Sequence, residues 1–441
     1  MTGLGLLAAV VVAGAFGAAG VLVRPATRRR GLGPVHPGPA WLGLAAVFFG
    51  LGSGVLAATG ETSGPALYVA GSVVAFGIGV WASDRLAMWR GDAGTPDAVI
   101  SGAPRAGLPD AGRATGPAIP ALGTRRGAPV ILAAVAVGAI LPTLLDSGIP
   151  FLTPDITGAR SELIGLPIQL VRVALPGLAG LFLLDALREV DRRRRRLDLA
   201  AILALAGFTV ALASRYLVAE LAAVLLIAWL VTGRQIPARA ALAIALVAIV
   251  GFGGIQVLRA YDLAVGNELG FAVGRTVNRI VLVQPRTLAA LQRAIPADQP
   301  YFLGLTWIHR LGPIVGHDDI PNLGYWIYPA VVEGTQDTAG YAAPGLIGET
   351  WANFGPAGLA LFVALGVLAE RLGALVTIRR ASGVDIVAGS LATLFLARTH
   401  ALGLGGLVIL AGVVLAWRIL AGPPAELGGA IRRIVTWRAA S

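Results

Sequence analysis

Residues Tyr341–Arg371 read YAAPGLIGETWANFGPAGLALFVALGVLAER, and the interpretation of the whole chain turns on them. Glu349 and Asn353 stand four apart, so on an α-helix they share a face. Gly355, Pro356 and Gly358 follow, and then an apolar run long enough to enter a bilayer. A polar pair at the mouth of such a helix is where a water-facing reaction on a lipid-borne substrate needs its groups.

The surroundings of that stretch are those of a membrane protein. The 441 residues are 56% hydrophobic and only 13% charged, with a mean hydropathy of +0.77, which soluble domains of this length do not reach. The absence of cysteine excludes a disulfide framework, a thiolate metal site and a cysteine nucleophile. Every one of the 35 basic residues is arginine, so arginine abundance says nothing about phosphate recognition and only placement does. The net charge of +11 has to be mapped onto topology before a partner is inferred, and that mapping points to the membrane rather than to nucleic acid.

Apolar windows of roughly 17 to 23 residues predict about eleven spans in an all-α, polytopic transmembrane bundle. They cover residues 3–23, 40–59, 66–84, 129–145, 163–184, 197–213, 216–232, 238–258, 352–374, 383–397 and 401–420. With the N-terminus outside and the C-terminus inside, the basic loops fall on the cytoplasmic side: Arg24 to Arg30, Arg90 to Arg126, Arg192 to Arg196, Arg234 with Arg239, and Arg379 with Arg380. The run Leu197–Thr232 as one helix would be roughly 54 Å long, nearly twice the hydrocarbon thickness, so two short spans meeting at Ser214 and Arg215 are expected.

The chain then divides into a three-span segment (1–89), a flexible Pro/Gly/Ala-rich cytoplasmic linker (90–128), central spans (129–258), a large extracytoplasmic loop (259–348), three C-terminal spans (349–420) and a basic cytoplasmic tail (421–441). No internal repeat is visible, which weighs against the repeat-built transporters.

Within the large loop, GRTVNRIVLVQPRTLAALQRAIP (274–296) is amphipathic. At 100° per residue Arg275, Arg279, Arg286 and Arg293 fall within about 40° of one another, with Val277, Ile280, Val281, Leu288, Leu291 and Ile295 opposite. A break is expected at Pro285. The stripe reads either as an interfacial helix touching headgroups or as a grip on a lipid-borne diphosphate, since guanidinium forks bind phosphate oxygens bidentately. Arg160, Arg215, Arg259 and Arg398 stand at other outer turns. Arg172, inside the apolar IQLVRVALPGL, is a functional candidate or one half of a structural pair.

The outer acids and imidazoles are His309, His317, Asp318, Asp319, Glu333, Asp337, Glu349 and His400. His309 stands beside Arg310, which favours the neutral imidazole that accepts a proton. No metal-ligand spacing is present, and no metal or other cofactor is expected.

The segment PGLIGETWANFGPAGLALFVALG resembles the late signature of the O-antigen polymerase family, the oligosaccharide repeat-unit polymerases. GIPFLTPDITGARSELIG resembles an earlier segment of that family and sets Arg160 at its arginine; SRYLVAELAAVLL resembles its Ser-Arg element and sets Arg215 there. The resemblance covers roughly residues 140–400 and leaves 1–128 unmatched. It implies a multi-pass plasma-membrane glycosyltransferase that joins repeat units carried on polyprenyl diphosphate, beside other envelope-glycan assembly proteins. Glu349 is then the first choice of base and His309 the second. Arg160, Arg215, Arg275 and Arg279 are expected on the diphosphate, with Arg172, Asn353 and Arg398 as further substrate contacts, and Tyr325, Trp326 and Tyr328 could stack on sugars.

A simpler role for Glu349 and Asn353 is also on the page: Asn353 capping a helix, Glu349 bonding nearby backbone. Two other functions compete. A multi-span transferase using polyprenyl-phosphate sugars would place acidic residues in the first outer loop, which here offers only Glu61 in GETSGP. A flippase or transporter would place charges deep in several spans.

Overall fold

A computed structural model describes residues 3–30, 36–90, 127–153, 163, 165–188, 191–212, 215–231, 278, 281–307, 321–331, 342–377, 387, 391 and 412. In chain order the helices are α1 (Gly3–Arg30), α2 (Pro37–Ala45), α3 (Leu51–Thr59), α4 (Gly64–Trp89) and α5 (Gly127–Ser147). Next come α6 (Gly165–Arg188), α7 (Arg192–Ala211), α8 (Arg215–Val231) and α9 (Val283–Ala294). The last are α10 (Leu323–Trp326), α11 (Tyr328–Val331), α12 (Gly345–Phe354) and α13 (Leu359–Thr377). A π-helical turn, Ala46–Gly50, joins α2 to α3 without interrupting the span. There is no strand among the described residues.

Among the described residues six stretches are long and apolar enough to cross a bilayer: Gly3–Arg29, Pro37–Thr59, Gly64–Trp89, Ala133–Leu152, Leu170–Leu187 and Gly345–Ala374. The chain is a membrane protein. Six is fewer than the eleven spans expected, for two reasons. Helix α7 opens with five exposed arginines, leaving roughly fifteen residues of apolar helix, and α8 has only 17 residues. The window 238–258, the tail, and nearly all of 383–397, 401–420 and the 90–128 linker lie outside the described residues. Leu197–Thr232 does divide into two helices, α7 ending at Ala211 and α8 starting at Arg215.

The arginines of α7 sit where a helix dipole disfavours cations. Asp191 offsets this by capping the helix, its side chain accepting the Arg193 N–H at 2.9 Å.

By its contacts the chain falls into two units, one holding α1–α4 and α9–α13 and the other α5–α8. In the second, α6 is the central helix. Ala136, Ile140 and Leu144 of α5 and Leu217 of α8 close over Val171, Leu175 and Leu178 of α6.

The core of the first unit is built around Trp41, Phe49, Phe76 and Phe362, with Trp41 stacked on Phe76 at 4.2 Å. Backbone meets backbone where α4 crosses α13. A Cβ at Gly79 would lie 2.0 Å from the Val363 carbonyl oxygen, and one at Gly366 would lie 2.1 Å from that of Phe76. Only glycine allows this approach, and in lipid such close packing replaces the hydrophobic drive that water supplies. Gly366→Val is therefore expected to lower the unfolding temperature in detergent, by a destabilisation of about 1–3 kcal/mol or more. Gly207→Ala, whose Cβ meets nothing within 4 Å, is the control that should leave it unchanged or raise it.

Two side-chain pairs fasten the arginine-rich end of this unit. Arg29 of α1 pairs with Asp84 of α4. His36 caps α2 by accepting the Gly38 N–H on Nδ1 at 3.1 Å, which leaves Nε2 to donate to Glu370 Oε2 of α13 at 2.9 Å, both side chains fully buried.

The deciding stretch is not one helix. Ordinary helical bonding would bring the N–H of residue 356 to the Ala352 carbonyl, but residue 356 is proline and has none. The Phe302 N–H takes that carbonyl instead at 3.1 Å, and the Leu303 N–H takes that of Asn353 at 3.0 Å. Gly355 turns the chain with φ +57, and a Cβ there would strike the Tyr301 ring and hydroxyl. A short 3₁₀ turn, Gly355–Gly358, leads into α13.

Candidate functional site

Helix α9 carries the second half of the arginine stripe. The stretch is interrupted beside Pro285 as expected: Val281 is helical, Leu282 is a turn, and α9 starts at Val283. Pro285 occupies the first turn of α9, where a missing N–H costs nothing. Gln284, Pro285, Thr287, Leu288, Ala289, Ala290 and Leu291 are buried, while Arg286 and Arg293 lie on the opposite, open side. Leu288 enters the same core as Tyr68, Leu346 and Ile347. Gly52 of α3 lets the chain entering α9 press against the span, since a Cβ there would meet the Val281 carbonyl oxygen and Pro285.

A cavity of about 670 Å³ opens on the arginine side of α9, lined among others by Glu61, Thr62, Asn278, Arg286, Arg293 and Val331. Arg286 and Arg293 stand seven residues apart, two turns or about 10.5 Å along one face. Arg286 Nη2 reaches both carboxylate oxygens of Glu61, at 3.3 and 3.4 Å. With side chains 40% and 49% exposed, that pair contributes about 0–1 kcal/mol and yields readily to a stronger anion. Arg293 forms no ion pair among the described residues. Two guanidiniums against one carboxylate leave the cavity net positive, at the end of the bundle where α3 hands over to α4.

Glu349 lies on α12, which packs directly on α9: a Cβ at Gly348 would come within 3.3 Å of Leu291. The carboxyl side chain is buried, with 5% of the residue exposed, and Glu349 is not among the cavity-lining residues. Asn353 follows one turn later and is fully buried. Its amide donates to Thr306 Oγ1 at 2.6 Å and to the Glu349 backbone carbonyl at 2.8 Å, and its side-chain oxygen accepts the Gly304 N–H at 2.8 Å. Both donors are thus committed within the protein, fastening the turn at Leu303 and Gly304, which have φ 52 and 94. This gives Asn353 a structural task, although not the cap foreseen from sequence.

Arg172 is in the second unit. Its Nη2 pairs with Glu220 Oε1 of α8 at 3.0 Å, so the charge inside an apolar helix is compensated by a neighbouring helix. Arg215 is the first residue of α8. Arg160, Arg275, Arg279, His309 and Arg398 lie outside the described residues, as do the other outer acids and histidines from His317 to Asp337 and His400. Tyr325 and Trp326 are exposed on α10, with Trp326 edge-on to Phe302 at 5.9 Å. Among the described residues no cluster of three or more acidic or histidine side chains could hold a metal.

No family model matches this chain, and neither a curated protein nor a solved structure is similar to it. From the stripe the sequence singled out Arg275 and Arg279 for the diphosphate, whereas the cavity holds Arg286 and Arg293. Arg286 and Arg293 belonged to the stripe by period, and only their position on the buried helix distinguishes them. Glu61, the one acid in its short loop, was weighed only for the transferase that uses polyprenyl-phosphate sugars.

Proposed function

We propose that the chain is a glycosyltransferase that polymerises polyprenyl-diphosphate-linked oligosaccharide repeat units on the outer face of the plasma membrane. The observation that carries this reading is the cavity holding Arg286 and Arg293 on one face of α9, where a bundle of membrane helices ends, with the Glu349 helix packed on the opposite face of α9. Its size suits the head of a lipid-linked glycan, and its net positive charge suits phosphate.

In this reading an acceptor hydroxyl oxygen attacks the anomeric carbon of the donor glycan as the bond from that carbon to the diphosphate oxygen breaks. The diphosphate leaves with the bonding electrons, and its growing charge is met by fixed guanidiniums. The hydroxyl proton passes to a carboxylate, assigned to Glu349. Arg160, Arg275, Arg279 and Arg398 remain proposed contacts on the same substrate, with His309 as the alternative base. Arg172 and Arg215 also remain proposed contacts.

A second reading is favoured by one observation: Glu61, from the first outer loop, lines the same cavity. That is where a transferase using a polyprenyl-monophosphate sugar would keep its base. Deletion of the gene followed by analysis of lipid-linked glycans tests both. Single repeat units accumulating on the carrier are expected for a polymerase. Units that lack one sugar point to the second reading, and material held in the cytoplasmic leaflet would overturn both in favour of a flippase.

A further inference from the structure

At the arginine-rich end of the first unit a separate groove of about 440 Å³ runs between α1 and α2. Its lining changes character along its length. Phe16, Val23 and Leu42 give an apolar floor, Gly20 and Gly43 keep it open, and Arg24 and Arg28 stand at one end. From Phe16 to Arg28 is twelve residues, about 18 Å of helix, close to the depth of a single leaflet of hydrocarbon.

The two exposed arginines in this groove have no acidic partner among the described residues. Arg29 turns inward to Asp84, but Arg24 and Arg28, one helical turn apart on the same face, are exposed and form no ion pair among the described residues. The glycines are not there for helix packing either, because a Cβ at Gly20 or Gly43 would meet nothing within 4 Å. The space they leave is therefore open, unlike that beside Gly79 or Gly366.

We propose that this groove binds an anionic phospholipid of the leaflet at that end, the cytoplasmic one by the distribution of arginines, with its phosphate on Arg24 and Arg28 and an acyl chain along Phe16, Val23 and Leu42. Charge and shape select this occupant. A free phosphate has no use for an apolar channel, and a neutral chain has none for two guanidiniums. The site is distinct from the cavity on α9 and does not depend on the reaction assigned there.

The test uses the full chain purified in detergent, with lipid adducts counted by native mass spectrometry on titration with phosphatidylglycerol or phosphatidylcholine. One tight phosphatidylglycerol adduct is expected, and none of comparable strength with phosphatidylcholine. Arg24→Gln with Arg28→Gln should weaken it about thirtyfold, from about 1 kcal/mol per arginine. Gly43→Leu should remove it with the charge untouched, and Gly20→Leu repeats that experiment if the first variant misfolds. Phosphatidylglycerol binding unchanged in the arginine and glycine variants would overturn the proposal. Equal binding of phosphatidylcholine would reduce the groove to ordinary lipid contact. Competition by glycerol 3-phosphate or inorganic phosphate at equal concentration would make it a free-anion site, and either result overturns the assignment.

Discussion

On the proposed reaction, Arg286→Gln combined with Arg293→Gln should reduce polymer synthesis by a factor of about 10² to 10³ or more while the protein stays folded. Glutamine keeps a polar amide donor on a shorter side chain but removes the charge that the proposed leaving diphosphate needs. Stability should hardly change, because the only ion pair lost among the described residues, Arg286 with Glu61, is about half exposed and contributes about 0–1 kcal/mol. Polymer chain length and yield in a deletion strain carrying the variant provide the measurement, with the unfolding temperature as the check on folding. Wild-type polymer from the double variant would remove the α9 cavity from the reaction. The single variants should differ in one respect. Arg286 is partly neutralised by Glu61, so Glu61→Gln should tighten donor binding slightly if the carboxylate only occupies Arg286.

Glu349→Gln is the other large effect. If the buried carboxylate takes the acceptor proton, turnover should fall by about 10² to 10⁴, and the acidic limb of the pH–rate profile should vanish with it. The shape of the side chain is preserved, so an unaltered unfolding temperature is expected alongside the loss. Glu61→Gln separates the two readings. Turnover lost at Glu61 and kept at Glu349 would transfer the base to the first outer loop and favour the monophosphate-sugar donor. Unchanged polymer length in Glu349→Gln would take Glu349 out of the chemistry and leave it a packing residue of α12.

Much of the fold was legible because its signals are local. Apolar length marks α1 through α6, and the 3.6-residue period placed Arg286 and Arg293 on one side of α9 and Leu288 and Leu291 on the other. The break at Gly355 could also have been read, since Pro356 cannot donate to Ala352 and a positive-φ glycine precedes it. It was outweighed by the length of the apolar run.

What the amino-acid order settled by itself is therefore the material of the protein: a helical membrane chain, with its cations gathered on one face of a helix and its polar pair at the head of another. Tertiary structure alone decided which of those groups meet. Glu61 and Arg286 are 225 residues apart, Arg172 and Glu220 48, and Asn353 and Gly304 49. Such pairings depend on how each helix is rotated and how closely glycines let it approach its neighbour. A residue's own neighbours in sequence impose no period that records this. The open groove beside Gly43 and the closed crossing at Gly366 look alike in the sequence, and only the presence or absence of a facing backbone tells them apart.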